Sequence, residues 1–523
     1  MGGRRPGVCA GATRRAVRGL CAAALIALAP SGVRAASTVT PGAPASPDAF
    51  SPGAPASGAP ASPDAFRASP EQQAFLDRLE RDTFRLFWEA SPAETGFTPD
   101  RAPGSEVSSV AAVGFALTSY LVGVERGYVT RSDAAARTLT TLEALWKVPQ
   151  GPAANGVGGY QGLYYHFVDF RQGLRAWDSE LSTIDTALLM AGVLSAQVYF
   201  DRDDAVERSI REISDRLYRR VDWAWASSRR APPLLGMGWT PEDGFIEADW
   251  SGYNEGMILY VLALGSPTHA IDPRAWEQWT RSYHWEGDRD SAQVAFGPLF
   301  GHQYSHVWID FRRIQDAYMK SKGSDYFVNS VRATYANRDY CIANPRGWKG
   351  YDTLVWGLTA SDGPFPGRPG AVDGSGFHSY WARGAGSGGA ADDGTIAPTA
   401  VGGSVPFAPE VTIPTLMHLR ESFGDRIYGK YGFKDAFNLS YPAQGGGEGW
   451  FDDQYLAIDS GPILLMVENY RSGFLWDLMK RSPYFASGLR KAGFTGGWLD
   501  RIGAAVAPAI AAPVAPATGP ATR

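Results

Sequence analysis

The chain has 523 residues, 44% of them hydrophobic and 12% aromatic, with 17 tryptophans, enough to bury a large core in one big domain or two smaller ones. Its formal charge of −5 argues against nucleic acid or an anionic membrane surface as partner. Of three cysteines, Cys9 and Cys21 fall in the first 36 residues, so a disulfide framework is excluded and stability must come from the core.

Residues 1–36 carry Arg4, Arg5, Arg14, Arg15 and Arg18 ahead of the apolar run from Leu20 to Ala29, then Val33-Arg34-Ala35. That pattern predicts a secretory signal peptide cleaved after Ala35 or Ala36, and the run is too short to span a membrane. Its loss removes six arginines and no acid, taking the charge from −5 to −11 and leaving Cys341 as the one thiol. Export of a Trp-rich, acidic, disulfide-free chain suits a periplasmic or secreted enzyme acting on neutral polymers. Residues 37–70 repeat Gly-Ala-Pro-Ala-Ser-Pro-Asp-Ala-Phe at 42–50 and 58–66 and read as an extended, mobile linker. Residues 71–503 read as one catalytic domain and 504–523 as a disordered Ala/Pro-rich tail.

Helical periodicity dominates the domain. The spacing predicts helices from Glu71 to Trp88, Val107 to Arg126, Arg131 to Trp146, Glu180 to Phe200 and Asp203 to Trp225. Further helices are predicted from Asn254 to Leu264, Pro273 to Tyr283, Ser305 to Lys320, Asp325 to Asn344, Pro406 to Phe423 and Gly461 to Arg471. An apolar helix tends to be followed by a charged one, as in a ring of inner and outer helices. The fold class is therefore all-α. The aromatic, Gly-rich stretches 149–178, 229–253, 284–304, 345–405 and 438–460 are too long for ordinary connections and are expected to form a site or small hairpins. Residues 384–394 are expected to be a mobile surface loop.

No phosphate loop, dinucleotide fingerprint, zinc spacing or nucleophile elbow is present, so no cofactor is expected. Carboxylates beside aromatics remain. Trp177-Asp178-Ser179-Glu180 precedes an apolar helix in which Leu181, Ile184, Leu188 and Ala191 share a face. Asp178 sits where an N-cap belongs and Glu180 in the expected first turn, where the helix dipole favours negative charge. Asp185 projects into the apolar stripe, either as a structural acid with a partner or as a site residue. Trp250-Ser251-Gly252-Tyr253-Asn254-Glu255 repeats the arrangement, so Glu180 and Glu255 would meet in one cleft walled by rings. Paired carboxylates across such a cleft are what glycoside hydrolysis needs.

A third cluster supplies His302, Gln303, Tyr304 and Trp308 for sugar hydroxyls. His302 and His306 have no placed acidic ligand beside them, and no metal site is expected. Glu410 and Asp452 lie beside apolar or aromatic residues, the first as cleft wall or structural lock, the second as cleft wall or turn.

Six motifs carry a resemblance. They are Ser-Thr-Ile-Asp-Thr-Ala-Leu-Leu at 182–189, Tyr-Asn-Glu-Gly-Met at 253–257, Gly-Pro-Leu-Phe-Gly-His-Gln-Tyr-Ser-His at 297–306, Trp-Gly-Leu-Thr-Ala-Ser-Asp at 356–362, Ala-Pro-Glu at 408–410 and Ala-Ile-Asp-Ser-Gly-Pro at 457–462. With them the chain resembles the bacterial glucoamylase-like family, and more narrowly glycoside hydrolase family 144, the β-1,2-glucan-degrading enzymes. The resemblance implies an (α/α)6 toroid and an enzyme that cleaves or rearranges β-1,2-glucan; some members act endo and invert, others release disaccharide or retain. An endo-acting, inverting glycosidase is the expectation here, with a related hydrolase or transglycosylase of other linkage or a non-catalytic glucan-binding protein as the alternatives. The resemblance also implies acidic residues near Glu180 and Glu255 in the site, and those two are expected to carry the proton chemistry, with Asp178 and Asp185 in support. Sugar would be held by Trp177, Trp250, Tyr253, Asn254, His302, Gln303, Tyr304, Trp308, Trp356, Glu410 and Asp452. The expected partner is a glucan chain, with no nucleic acid, no stable membrane insertion and a monomeric protein.

Overall fold

Ser69 opens the first helix as its sequence predicts. Its hydroxyl accepts from the Gln72 amide and the Gln72 side chain answers to the Ser69 amide, with Pro70 at the first helical position. In this computed structural model, residues 66–288, 291–386, 392–442 and 448–502 are described. The expected signal peptide, nearly all of the expected linker, the tail, and 387–391 within the expected surface loop lie outside the described residues.

The helices are α1 (Pro70–Ala90), α2 (Val110–Glu125), α3 (Arg131–Lys147), α4 (Thr183–Tyr199), α5 (Ala205–Arg220), α6 (Met257–Gly265) and α7 (Arg274–Thr280). They continue as α8 (Tyr304–Trp308), α9 (Ala317–Lys322), α10 (Tyr326–Ala343), α11 (Pro398–Gly402) and α12 (Pro409–Phe423). The last are α13 (Ala457–Ser472), α14 (Phe474–Met479), α15 (Pro483–Lys491) and α16 (Gly497–Arg501). The framework is therefore mainly helical. The expected all-α class needs one correction, because the long loops carry eight small sheets of two or three strands among the described residues.

The alternation read from the sequence is a burial alternation. α2, α4, α6 and α13 are buried around most of their circumference. α5 buries only the face of Glu207, Ile210, Ser214, Leu217 and Tyr218. α2 packs on α4 and on α13, and α4 on α5 and α6. At the α2 and α4 crossing two glycines let the backbones touch: a Cβ on Gly192 would stand 2.1 Å from the Gly114 carbonyl oxygen. The predicted helix from Ser305 to Lys320 is two helices. Arg313 adopts a left-handed φ of 62°, and Asp316 starts α9 by accepting from the Met319 amide at 2.8 Å.

The strand Arg101–Ala102 pairs antiparallel with Tyr455–Leu456, tying the segment before α2 to the segment before α13. Leu181–Ser182, just ahead of α4, pairs with Gly238–Thr240. These small sheets gather at the N-terminal ends of α2, α4 and α13.

Candidate active site

Glu180 stands three residues ahead of α4, outside the first turn where the sequence placed it. The real cap is Ser182, whose hydroxyl accepts from the Asp185 amide at 3.1 Å and donates to the Asp185 carboxylate. Asp178 is exposed and caps nothing, so its expected supporting role at the helix start belongs to Ser182 instead. Gly238 opposite must be glycine, since a Cβ there would lie 2.6 Å from the Leu181 carbonyl oxygen and 3.0 Å from Cγ of Glu180.

The strand pairing beside Glu180 brings in a residue that the sequence reading missed. The His166 amide donates to the Glu180 carbonyl at 2.8 Å, and its ring Nδ1 lies 2.9 Å from Glu180 Oε1. Its Nε2 lies 3.6 Å from Asp185 Oδ1. Burial opposes charge on this imidazole, but Asp185, Glu180 and Asp100 outweigh it and carry the pKa up to about 9. The His166 ring is thus drawn toward its protonated form beside the Glu180 carboxyl. The signal available was a histidine inside Tyr164-Tyr165-His166-Phe167, in a loop already suspected of forming the site.

Glu255 precedes α6 in the same way. Ser305 fixes it from the next segment, donating to the Glu255 carbonyl at 3.3 Å and accepting from the Ile258 amide at 3.0 Å. Asn254 turns its Oδ1 back to the Gly256 amide at 2.9 Å. Glu255 is half-buried, and burial pushes its pKa up to about 7; a backbone hydrogen bond lowers it and the charge of Asp185 raises it further.

Both acids line one cavity of about 1070 Å³, with His166, Asp185, Asp100 and Arg101. Trp250, Tyr253, Phe296, Phe300, Tyr304 and Tyr380 supply its aromatic wall. Trp250 is itself pinned, its indole N–H donating to Thr183 Oγ1 at 2.8 Å. An aromatic surface with a few convergent polar groups suits a sugar ring, whose faces stack and whose hydroxyls bond. Among the predicted residues the structure therefore gathers Glu180, Glu255, Asp185, Trp250, Tyr253, Asn254 and Tyr304 at one cavity.

The others stand elsewhere. Trp177 is 60% exposed in a left-handed φ of 54° and leans on Phe167, which lines the cavity, so it belongs to the outer rim. His302 is buried behind Tyr253, bonded to the Phe296 carbonyl at 2.9 Å, and burial drops its pKa to about 4, so it is a neutral lock rather than a sugar ligand. Gln303 spends its amide on the Ala400 carbonyl and Ser404, both at 2.8 Å. Trp308 and Trp356 are fully buried and donate to Thr118 and Thr415, as core residues do. Glu410 is bonded by Tyr335 away from the cavity lining. Asp452 lies in a separate acidic cluster behind the cavity with Asp362 and Asp435. His166, Glu180 and Asp185 also present ligand atoms within 4.8 Å of one another.

Two expectations for titration follow. Asp185→Asn removes a charge that holds the proton on Glu255, so any activity needing protonated Glu255 loses its alkaline limb at lower pH than wild type; an unmoved limb in the kcat/KM profile contradicts this coupling. The His166 pair acts on stability with the opposite dependence to a depressed acid. Its folded pKa of about 9 lies above the ordinary 6.5, so its contribution is full below pH 6.5 and is lost as pH rises through about 9. The stability gap between wild type and His166→Gln, measured by urea denaturation, should close between those values. A gap that widens with pH would refute the pair.

Comparison with known proteins was made on this geometry. The Glycoamylase family model matches residues 247–483. A solved glucoamylase-like protein from Bacteroides uniformis is 32% identical and covers 83% of this chain and 100% of its own, with a TM-score of 0.70. The solved endo-β-1,2-glucanase from Chitinophaga pinensis, in complex with sophorotriose and glucose, is 29% identical and covers 82% of this chain and 99% of its own, with a TM-score of 0.70. The exo β-1,2-glucooligosaccharide sophorohydrolase (non-reducing end) of Parabacteroides distasonis is 28% identical over 80% of this chain, which spans 58% of that relative's length. At 32% identity across the whole of the Bacteroides uniformis protein, the chain belongs to the glucoamylase-like family.

Proposed function

We propose that this protein is a glycoside hydrolase that cleaves β-1,2-glucan, with Glu255 as general acid and the carboxylates held by His166 on the opposite side of the reaction. The observation that carries the reading is a pair of acids in unlike surroundings on one aromatic-walled cavity. Burial pushes the Glu255 carboxyl up to about 7, while Glu180 Oε1 stands 2.9 Å from the His166 ring, whose pKa is raised to about 9. Separated acid and base of this kind are what glycoside cleavage needs at neutral pH. The substrate comes from the named activities of the Chitinophaga pinensis and Parabacteroides distasonis relatives.

In this mechanism Glu255 protonates the leaving glycosidic oxygen as the bond to the anomeric carbon breaks. A carboxylate of the Glu180 and Asp185 pair takes the proton of the attacking water. His166 orients that pair, and the rings of Trp250, Tyr253 and Tyr304 hold the sugar. We propose inversion and endo cleavage, from the resemblance to family 144. The buried α2, α4, α6 and α13, alternating with one-sided helices, support an (α/α)6 toroid as the architecture. The arginine-led apolar segment of residues 1–36 supports export to the periplasm or beyond. Among the described residues no helix is long and apolar enough to cross a membrane. A monomeric state is part of the same proposal.

The test is a panel of linear β-1,2-glucan, laminarin and starch, with the anomer of fresh product followed by NMR. Release of β-1,2-linked oligosaccharides of inverted configuration is the expected result. Activity on starch alone would overturn the substrate, and retained configuration would overturn the water-attack step.

A further inference from the structure

Behind the cavity, four segments converge on a second group of acids. Asp362 follows the strand Ala360–Ser361, Asp435 precedes Phe437–Asn438, Asp452 follows Trp450–Phe451, and Asp459 lies in the first turn of α13. Asp362, Asp435 and Asp452 each place a carboxylate oxygen within 4.8 Å of the others. Asp452 is within hydrogen-bonding reach of Asp362, and Asp459 of Asp435. Backbone bonds hold the arrangement: the Asp362 amide donates to Asp435 Oδ2 at 2.6 Å, and the Asp452 amide to the Ala436 carbonyl at 2.9 Å.

Clustered acids alone do not make a site, because solvent or shared protons can satisfy them. Here a separate feature decides. Asp435, Asp452 and Asp459 are 4%, 6% and 2% exposed, and each has one fully buried oxygen, Oδ1, Oδ2 and Oδ2 respectively, that no N–H or hydroxyl reaches, so that within the group only carboxyls face one another. The nearest cation, Arg101, is already shared between Asp362 at 2.7 Å and Asp100 at 3.2 Å. Tyr304 reaches only Asp459 Oδ1, at 3.4 Å. Buried carboxylate oxygens without donors carry a desolvation cost that a cation would offset.

We propose that this cluster binds a hard divalent cation, calcium in preference to magnesium, through Asp362, Asp435, Asp452 and Asp459. All the donors are carboxylate oxygens, with no imidazole or thiolate, which selects against zinc and copper. Calcium accepts an irregular set of six to eight oxygens at about 2.3–2.6 Å, whereas magnesium demands a near-octahedral shell and keeps its waters. The cation joins the segments before and within α13 to the loop after Ser361, directly behind Arg101 and Tyr304, and so braces one wall of the cavity. The inference does not depend on which glucan the enzyme cuts.

The test uses the full chain, stripped with chelator and then titrated with calcium chloride or magnesium chloride at pH 7.5. Saturable heat with about one calcium per chain and a rise of several degrees in the thermal midpoint are expected, since a ligand bound only by the folded state stabilises it. Magnesium should give a smaller shift. Asp435→Asn with Asp452→Asn should lose both responses. Should that double variant not fold, metal analysis of wild type dialysed against micromolar calcium gives the stoichiometry without it. Wild type with no calcium-dependent heat or midpoint shift overturns the proposal, as does a double variant that responds like wild type. A double variant more stable than wild type, in a protein that never responds to calcium, would show that the acids share protons instead.

Discussion

Glu255→Gln is expected to fold, to bind β-1,2-glucan with near wild-type affinity, and to turn it over about a hundred to ten thousand times more slowly, the usual contribution of a general acid. The amide keeps the shape of the side chain and its place beside Ser305 and Asn254, but has no proton to give to the leaving oxygen. Binding survives because Trp250, Tyr253 and Tyr304 are untouched. Single-turnover kinetics with a calorimetric binding control would separate the two effects. Turnover within tenfold of wild type would remove Glu255 from the acid role and pass it to another carboxyl of the cavity. Weakened binding with unchanged turnover would make Glu255 a sugar ligand only.

The largest stability effect is expected from Gly192→Ala. An alanine in place of a helical glycine ordinarily stabilises by about 1 kcal/mol. At this crossing the new methyl would stand 2.1 Å from the Gly114 carbonyl oxygen and 2.7 Å from its carbonyl carbon and Cα, all backbone atoms that cannot rotate aside. Overpacking of a filled core costs about 1–3 kcal/mol and occasionally more, so the steric effect wins and the net change is destabilising. α4 must then move away from α2. Asp185 lies about two turns nearer the cavity on the same helix, so kcat should fall along with the denaturation midpoint. An alanine variant at least as stable as wild type would mean that the two helices can separate freely.

Much of the framework was legible because burial leaves a period in the sequence. α2 and α4 are apolar all round and α5 on one face only, and both patterns survive in the residue order. The starts of the inner helices were less legible. Glu180 and Glu255 were placed in first turns, yet both stand in the segments before their helices. Short-range spacing cannot reveal that Leu181–Ser182 pairs with a strand more than fifty residues later. His166 was missed for the same reason, since its meaning depends on the Glu180 backbone meeting it across a loop. Trp308 and Trp356 were over-read: an aromatic beside polar residues suggests a sugar platform, but each spends its one donor on a buried threonine. Asp452 could not be assigned from sequence because its neighbours Asp362, Asp435 and Asp459 come from separate segments of the chain.

The pairing of Arg101–Ala102 with Tyr455–Leu456 also bears on how the enzyme comes into being. Arg101 and Leu456 face the same cavity, although more than three hundred residues separate them. Contacts between such distant parts of a chain form late, because a long loop must close before they return any free energy. A growing chain that has already made His166, Glu180 and Glu255 still lacks one side of its cleft. Catalytic competence should therefore arrive abruptly, when the last inner helix docks, and nascent or C-terminally clipped chains should be silent.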